Sequence, residues 1–316
     1  MKKLNRRAFL GTSAVGLLAV GAPRASAKGA NAPSSRQTAA APSGAAPFNR
    51  PISFQSFGMR KEIGEDFPGT LKAVKALGFD GIEMCSPHGN YYQTAGFGNL
   101  TAVPPADIKQ QIEDSGLICK STHFESHEVL VDDLAKTIDY AAALGLEVIV
   151  MSGSTFGEDG TVDDIKKWGE QCNKAGEAVK AAGLRLGYHN HLVGPMVGDR
   201  PQYEYIMDAL DPDLVTMQFQ LASIMGGFDP AYYLDKYAGR FFAMHMADWD
   251  PAKKGYRPGR LGATVPIGEG MVDWPGVLKA AMKSDIADYG FIIEMETRNP
   301  LEDLRKSIAY LKTVPV

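Results

Sequence analysis

The sequence predicts one α/β domain of the (β/α)8 class, a TIM barrel, over residues 48–316. A repeated unit carries this prediction. A helical pattern ends in glycine and a short apolar run follows, as at 76–84, 114–121, 143–151 and 182–188. Glycine just past a helix end is the usual left-handed cap, and the apolar run behind it is typical of a buried parallel strand. Eight such units fit the length and alternation of a TIM barrel.

Along the chain, the same criteria predict eight strands, at 52–57, 80–84, 117–122, 147–151, 185–190, 214–219, 241–246 and 290–294. Helical patterns lie near 67–77, 105–115, 128–144, 161–182, 201–210, 230–237, 274–283 and 300–312. A doubly wound open sheet is the alternative. It usually has fewer units, and the G-x-G-x-x-G turn expected after its first strand is absent from the sequence.

The first 47 residues are predicted to be an export signal and a tether. Residues 1–27 combine a basic start, an apolar run from Ala8 to Ala22 and a small-residue cleavage pattern at 25–27. Asn5–Leu10 resembles a bacterial twin-arginine signal, with an ordinary secretory signal as the alternative. Residues 28–47, rich in Ala, Pro and Ser, predict a flexible linker. We therefore expect a periplasmic or secreted protein, with no membrane insertion once the signal is removed.

The charge and the cysteine content of the chain indicate which binding partners and cross-links to expect. The chain carries 37 acidic and 33 basic residues, a formal net charge of -4. Such a chain has no basic field to hold a polyanion, so nucleic acid is not an expected partner. Three cysteines are too few for a disulfide framework, and buried thiols are favoured over a bridge between Cys85 and Cys119. The sequence is compatible with a homo-oligomer and does not decide the oligomeric state.

Polar side chains concentrate at the carboxyl ends of the predicted strands, where barrels of this class build their active sites. All six histidines lie there or in the loops just beyond: His88, His123, His127, His189, His191 and His245. Carboxylates and amides join them: Glu83, Gln218, Gln220, Asp248 and Glu294. The sequence therefore predicts a functional site at this end of the barrel.

Strand alternation indicates which of these side chains point into the barrel. His245 lies between two methionines, and Glu294 lies between Ile293 and Met295, so both polar side chains are expected to point inward. Imidazole nitrogens, an amide oxygen and a carboxylate then meet in one layer. A mixed nitrogen and oxygen set suits one divalent metal ion such as Mn, Co, Mg or Zn. Each residue alone is more often a hydrogen-bonded polar group, and the joint pattern favours the metal.

These motifs resemble the xylose isomerase-like barrels, in particular the sugar phosphate isomerase/epimerase group with its inosose dehydratases, tagatose epimerases and hydroxypyruvate isomerases. The resemblance covers essentially all of residues 51–316 in the same order. Its segments are Gly-Phe-Asp-Gly-Ile-Glu at 78–83 and Gly-Tyr-His-Asn-His at 187–191, followed by 239–248, 267–274 and 291–294.

The resemblance implies a metal held by the last four strands. Similar proteins use a Glu on strand five, an Asp on strand six, a His on strand seven and a Glu on strand eight. The corresponding residues here are His189, Gln220, His245 and Glu294. Two anionic ligands are thereby replaced by neutral ones. This disfavours a symmetric two-carboxylate epimerisation and favours a one-base isomerisation or an elimination.

The resemblance also implies an enzyme that removes a proton next to a carbonyl of a sugar or keto-sugar. Glu294 is the expected base, and His123 or His191 would handle the second proton. Four residues are expected to contact or orient the substrate: Glu83, His88, Asp248 and Trp249. A keto-glycoside or polyol lyase or dehydratase is the alternative reaction. A non-catalytic periplasmic sugar-binding barrel is the alternative class.

Overall fold

A computed structural model describes residues 46–86, 89, 92–131, 134–157, 159–191, 193–253, 263–284 and 286–316. The predicted signal segment, most of the predicted linker and His88 lie outside the described residues.

Eight parallel strands close into a barrel, in the order β1-β8-β7-β6-β5-β4-β3-β2 around its axis. They are β1 (Ile52–Gln55), β2 (Gly81–Cys85), β3 (Ile118–Glu125), β4 (Val148–Ser152), β5 (Arg185–His189), β6 (Val215–Gln220), β7 (Phe241–Met246) and β8 (Phe291–Ile293). The predicted TIM barrel and its eight strands are confirmed. Strand β3 continues past its predicted end at residue 122, which carries His123 within the strand.

The helices lie at Arg60–Glu65, Phe67–Ala76, Pro105–Asp114, Ser126–Leu130, Leu134–Leu144, Val162–Ala181, Gln202–Ala209, Pro230–Lys236, Trp274–Lys283 and Pro300–Leu311. The helix predicted over 128–144 is in fact two helices. Gly78, Gly116, Gly145 and Gly183 follow helices with φ between 78° and 95°. These are the left-handed caps that the sequence pattern predicts.

Several short elements that the sequence pattern does not predict are inserted after the strands. One antiparallel hairpin pairs Met196–Val197 with Arg200–Pro201, and another pairs Asp248–Asp250 with Ala263–Val265. Short 3-10 helices at Ser56–Met59 and Leu221–Gly226 directly follow β1 and β6. All four insertions follow the carboxyl ends of strands, so they build the rim of the barrel mouth.

Apolar side chains form two separate layers. Met244, Met246 and Ile293 belong to the large cluster between the strands and the helices. Inside the barrel, a small cluster holds five residues: Val148, Val150, Phe242, Ala243 and Ile292. The predicted outward direction of Met244, Met246 and Ile293 is therefore confirmed, whereas the adjacent residues Phe242 and Ala243 both belong to the inner cluster. Towards the carboxyl ends of the strands, the barrel interior changes from apolar to polar.

Three further observations concern the start of the domain at Phe48, the cysteines and the length of the helices. Phe48 is buried, packs edge-on against Phe291 at the start of β8, and donates its N–H to the carbonyl oxygen of Val314. The three cysteines are free thiols, and the strand register places Cys85 beside His123, so the alternative bridge to Cys119 is not formed. None of the helices in the described part of the chain has the length and apolarity that a bilayer crossing needs.

A candidate metal centre at the barrel mouth

The carboxyl ends of the strands open into a cavity of about 870 Å³. Its floor is polar and contains His123, His189, Gln220 and Glu294. Its walls come from the loops after the strands and are largely apolar, with Phe57, Tyr92, Val193, Phe228 and Trp249 among them. A polar floor beneath apolar walls is the usual form of a small-molecule site.

Three buried histidines meet at this floor. His123, His189 and His245 each offer one ring nitrogen within 4.8 Å of the other two. The ring centroids of His189 and His245 are 4.4 Å apart, and the rings of His123 and His245 stack at 5.0 Å. The three residues come from β3, β5 and β7. A barrel interior is built from layers to which alternate strands contribute, which is why residues so distant in the chain converge.

Glu83 on β2 lies below the histidines and is buried at the centre of the barrel. It accepts hydrogen bonds from three side chains: Gln55 Nε2 (2.9 Å), Ser121 Oγ (2.6 Å) and Gln218 Nε2 (2.6 Å). His245 Nε2 lies 2.6 Å from its Oε1. Burial by itself would raise the pKa of Glu83, but the charges and hydrogen bonds of His123 and His245 outweigh it and hold the pKa well below its ordinary value. Glu83 is therefore a buried anion.

Glu294 lies on the cavity side of the histidines, just past the end of β8. Its Oε2 accepts a hydrogen bond from Gln220 Nε2 at 2.6 Å and lies 3.3 Å from His245 Nδ1. Burial would raise the pKa of Glu294, but attraction to His245 and these two contacts lower it to about 2. The side chain is 23% exposed, whereas that of His245 is fully buried, so Glu294 is accessible from the cavity.

The histidines differ in charge. Burial, together with repulsion from His245, His123 and His191, holds the pKa of His189 well below its ordinary value, so its ring is neutral. Burial also opposes the charged form of His245, but Glu294 and Glu83 outweigh it and raise its pKa to about 9. Nδ1 of His189 is buried and has no hydrogen-bond partner among the described residues. A buried imidazole nitrogen that carries a lone pair and no donor suits a metal ion.

His191 lies on the cavity wall just after β5. Its ring is perpendicular to that of His189 at 5.3 Å, and its Nε2 lies 3.4 Å from the Ser152 hydroxyl. The hydroxyl of Tyr92 hydrogen-bonds to Ser152 as well. The sequence pattern did not indicate Ser152, although its position at the end of β4 is the signal that could have done so. His127, in contrast, is exposed on a helix.

Asp248 is buried below the rim, and its carboxylate accepts hydrogen bonds from the segment that follows β7. Its two carboxylate oxygens accept five hydrogen bonds of 2.9–3.1 Å, from the main-chain N–H groups of Trp249, Gly268, Gly270 and Val272 and from the indole of Trp274. In this structure Asp248 therefore holds together the loop that carries Trp249, which lines the cavity.

Three of the four predicted ligand residues, His189, His245 and Glu294, could hold a divalent ion together with His123. His245 Nδ1 and Glu294 Oε2 are 3.3 Å apart, close to the separation of about 3.4 Å between two ligands in tetrahedral coordination with bonds of about 2.1 Å. His189, whose Nδ1 has no hydrogen-bond partner among the described residues, belongs to the same cluster as His245. Gln220 turns its amide nitrogen towards Glu294 and accepts from the N–H of Ala222 with its oxygen. In this arrangement Gln220 positions Glu294.

Comparison with known proteins identifies the class. Residues 71–314 match the model of the xylose isomerase-like TIM barrel family, and the chain belongs to that family. Among characterised relatives, the inosose dehydratase of Bacillus cereus (strain AH820) is 25% identical over 286 residues, which cover 79% of this chain and 91% of that protein.

Two solved structures share the fold. A sugar phosphate isomerase/epimerase from Parabacteroides distasonis is 26% identical, covers 88% of this chain and 98% of its own, and superposes with a TM-score of 0.65. The IOLI protein, solved with a bound zinc atom, is 12% identical, covers 83% of this chain and 98% of its own, and has a TM-score of 0.61. At that identity the second likeness concerns the fold alone.

Proposed function

We propose that this chain is an exported, divalent-metal-dependent enzyme that removes a proton beside the carbonyl group of a sugar or keto-sugar. One observation carries the proposal: the ionised carboxylate of Glu294 lies 3.3 Å from one of three clustered buried histidines, on the floor of a cavity. The relatives named as inosose dehydratase and as sugar phosphate isomerase/epimerase support the substrate class. The sequence pattern of residues 1–27, which predicts an export signal, supports the location.

His123, His189 and His245 would hold the ion, with Glu294 beside them. When bound, a divalent ion polarises a carbonyl oxygen and makes the adjacent carbon more acidic. A set dominated by imidazole favours Zn, Co or Mn over Mg, which prefers oxygen ligands. This donor set therefore narrows the four metals that the sequence allows.

Glu294 is the base in this proposal. A hydrogen bond from Gln220 holds its carboxylate at the cavity floor, with Oε2 3.3 Å from His245 Nδ1. The breaking C–H bond leaves its electrons on the substrate carbon, and the proton moves to a carboxylate oxygen of Glu294.

His191, with Ser152 and Tyr92 behind it, is the proposed group for the second proton. Its position on the cavity wall separates it from Glu294 on the floor. An isomerase would return a proton to the neighbouring carbon. A dehydratase would instead protonate a hydroxyl on the β-carbon, the neighbour of the deprotonated carbon on the side away from the carbonyl. The C–O bond then breaks, a C=C bond forms and the hydroxyl leaves as water. Pairing one carboxylate with one histidine favours the dehydratase as the second candidate, since epimerisation needs two matched bases.

Proton exchange tests the proposal. Metal-loaded protein would be incubated in D2O with keto-sugars, inosose and keto-glycosides, and deuterium entry followed by NMR. We expect deuterium at the carbon beside the carbonyl, loss of exchange with a chelator, and loss of one water from the substrate if the enzyme is a dehydratase.

The Glu294→Gln variant should lose exchange by at least about 10²-fold, with an unchanged circular dichroism spectrum. Glu302→Gln, on the outer helix, is the control and should keep full activity. Exchange that survives in Glu294→Gln would remove Glu294 from this role. Protein that holds no metal and ignores the chelator would be a sugar-binding barrel instead.

A further inference from the structure

The layer below the three histidines contains two polar side chains that the proposed reaction does not use, Glu83 and Gln218. Both are buried, and both contact the histidine cluster. Polar groups at such depth need defined partners, and those partners determine which ring nitrogen of each histidine carries a hydrogen.

The amide of Gln218 has only one orientation that satisfies its neighbours. Its Nε2 lies 2.6 Å from the carboxylate of Glu83, whose oxygens already accept hydrogen bonds from Gln55 and Ser121 and so face the amide as acceptors. The amide oxygen therefore faces His123, where it lies 2.6 Å from Nε2. Because a carbonyl oxygen also only accepts, Nε2 of His123 carries the hydrogen, and Nδ1 is left as the other ring nitrogen.

The same logic applies to His245. Its Nε2 lies 2.6 Å from the carboxylate of Glu83, so it also carries a hydrogen, while Nδ1 faces Glu294. Nε2 of His123 lies 3.2 Å from the same carboxylate oxygen. Glu83 and Gln218 therefore face the Nε2 atoms of two of the three histidines.

We propose that Glu83 and Gln218 hold His123 and His245 with hydrogen on Nε2 and so present the Nδ1 atoms of both rings to one divalent cation. This inference rests on the proposed function in that the ion is the same one. Ligand histidines commonly have their second nitrogen held by a carboxylate or a carbonyl, which orients the ring and makes it a stronger donor. Here one buried pair does this for two rings.

Charge balance gives Glu83 a second role. Neither His189 on β5 nor Gln220 on β6 brings a negative charge to the site. Glu83 and Glu294 together supply two negative charges, which match the charge of a divalent ion. A buried cation needs such compensation. Glu83 therefore replaces, one layer below, a charge that the ligand positions lack.

Histidine NMR tests the arrangement without any substrate. Full-length mature protein labelled with 15N-histidine would be stripped of metal and titrated with Zn²⁺. We expect the Nδ1 resonances of His123 and His245 to move to the region of zinc-bound nitrogen, while the Nε2 atoms of both rings keep their hydrogens. Ligation of either ring through Nε2, or a ligand set without His123, would overturn the proposal.

Two variants distinguish the effect of Glu83 on the histidines from the effect of its other hydrogen bonds. Glu83→Gln should weaken Zn²⁺ binding by about 10- to 100-fold, measured by calorimetry. Ser121→Ala is the matched control, because it removes one hydrogen bond to the same carboxylate and touches no histidine; it should change affinity by less than about threefold.

Gln218→Leu covers the case in which Glu83→Gln does not fold. It should release the Nε2–H tautomer of His123 and leave that of His245, whose partner is Glu83. Equal effects on both rings would contradict the assignment. Zinc on the Nδ1 atoms of His123 and His245 without proton exchange on any sugar would refute the proposed function alone, and chelator-sensitive exchange with Nε2 ligation would refute this inference alone.

Discussion

Replacing Asp248 with Asn should destabilise the barrel strongly, although the two side chains have almost the same shape. Asp248 is 1% exposed, and every polar neighbour at its carboxylate is a donor. Oδ2 accepts three hydrogen bonds, and Oδ1 accepts two. An asparagine must turn an NH2 group towards one of these sets, so at least two buried N–H donors lose their acceptor.

The size of the effect follows from those two bonds. A hydrogen bond to a charged group contributes about 1.5–3 kcal/mol, so losing two costs about 3–6 kcal/mol before the remaining bonds weaken. Total stabilities of domains are about 5–15 kcal/mol. The variant should therefore lose a large share of its free energy of unfolding, and the loop that carries Trp249 should loosen first.

Urea denaturation followed by tryptophan fluorescence and circular dichroism measures this loss. Asp250→Asn is the matched control on the same hairpin, since Asp250 accepts one main-chain hydrogen bond, from Ala252, and lies 3.8 Å from Lys253. Its loss should stay below about 1 kcal/mol. A free energy of unfolding for Asp248→Asn within about 1 kcal/mol of the parent would refute the reasoning.

Two further predictions concern the site. The melting temperature of metal-free protein should be highest near pH 6.5, because the buried ring of His189, whose pKa is held well below its ordinary value, costs stability as the pH falls from 6.5. Glu294 contributes stability that is lost as the pH falls from 4.5 towards about 2. His245 contributes stability that is lost as the pH rises from 6.5 through about 9. A melting temperature that does not change with pH would contradict this linkage. His191→Asn should lower turnover by about 10²- to 10⁴-fold while Zn²⁺ affinity stays within about twofold, as measured by steady-state kinetics and calorimetry; a parallel loss of zinc would assign His191 to the metal instead.

The eight strands were predictable because their signals are local. A glycine cap and an apolar run such as 145–151 lie within one short window, so no distant contact is needed to find them. The same holds for the inward direction of His245 and Glu294, which follows from their apolar neighbours. The hairpin that begins at Asp248 was missed because its stability comes from N–H groups about twenty residues further along the chain.

The composition of the histidine cluster was only partly predictable. The sequence pattern placed His189 and His245 at a metal and assigned His123 to proton transfer, whereas the structure groups all three. Strand β3 is longer than its apolar run, and a register irregularity between β2 and β3 affects its pairing near His123. Neither feature leaves a signal in the chain.

The sequence by itself determined that this protein is an eight-unit barrel whose polar residues gather at one end, because those properties depend on periodicity and strand order. Only the tertiary structure decided which polar atoms meet. The tilt and stagger of strands in a closed barrel set the height of each side chain, and that height places Glu83 and Gln218 under the histidines and Glu294 over them. Hydrogen-bond partners and charge states follow from those contacts, so they exist only once the barrel has closed.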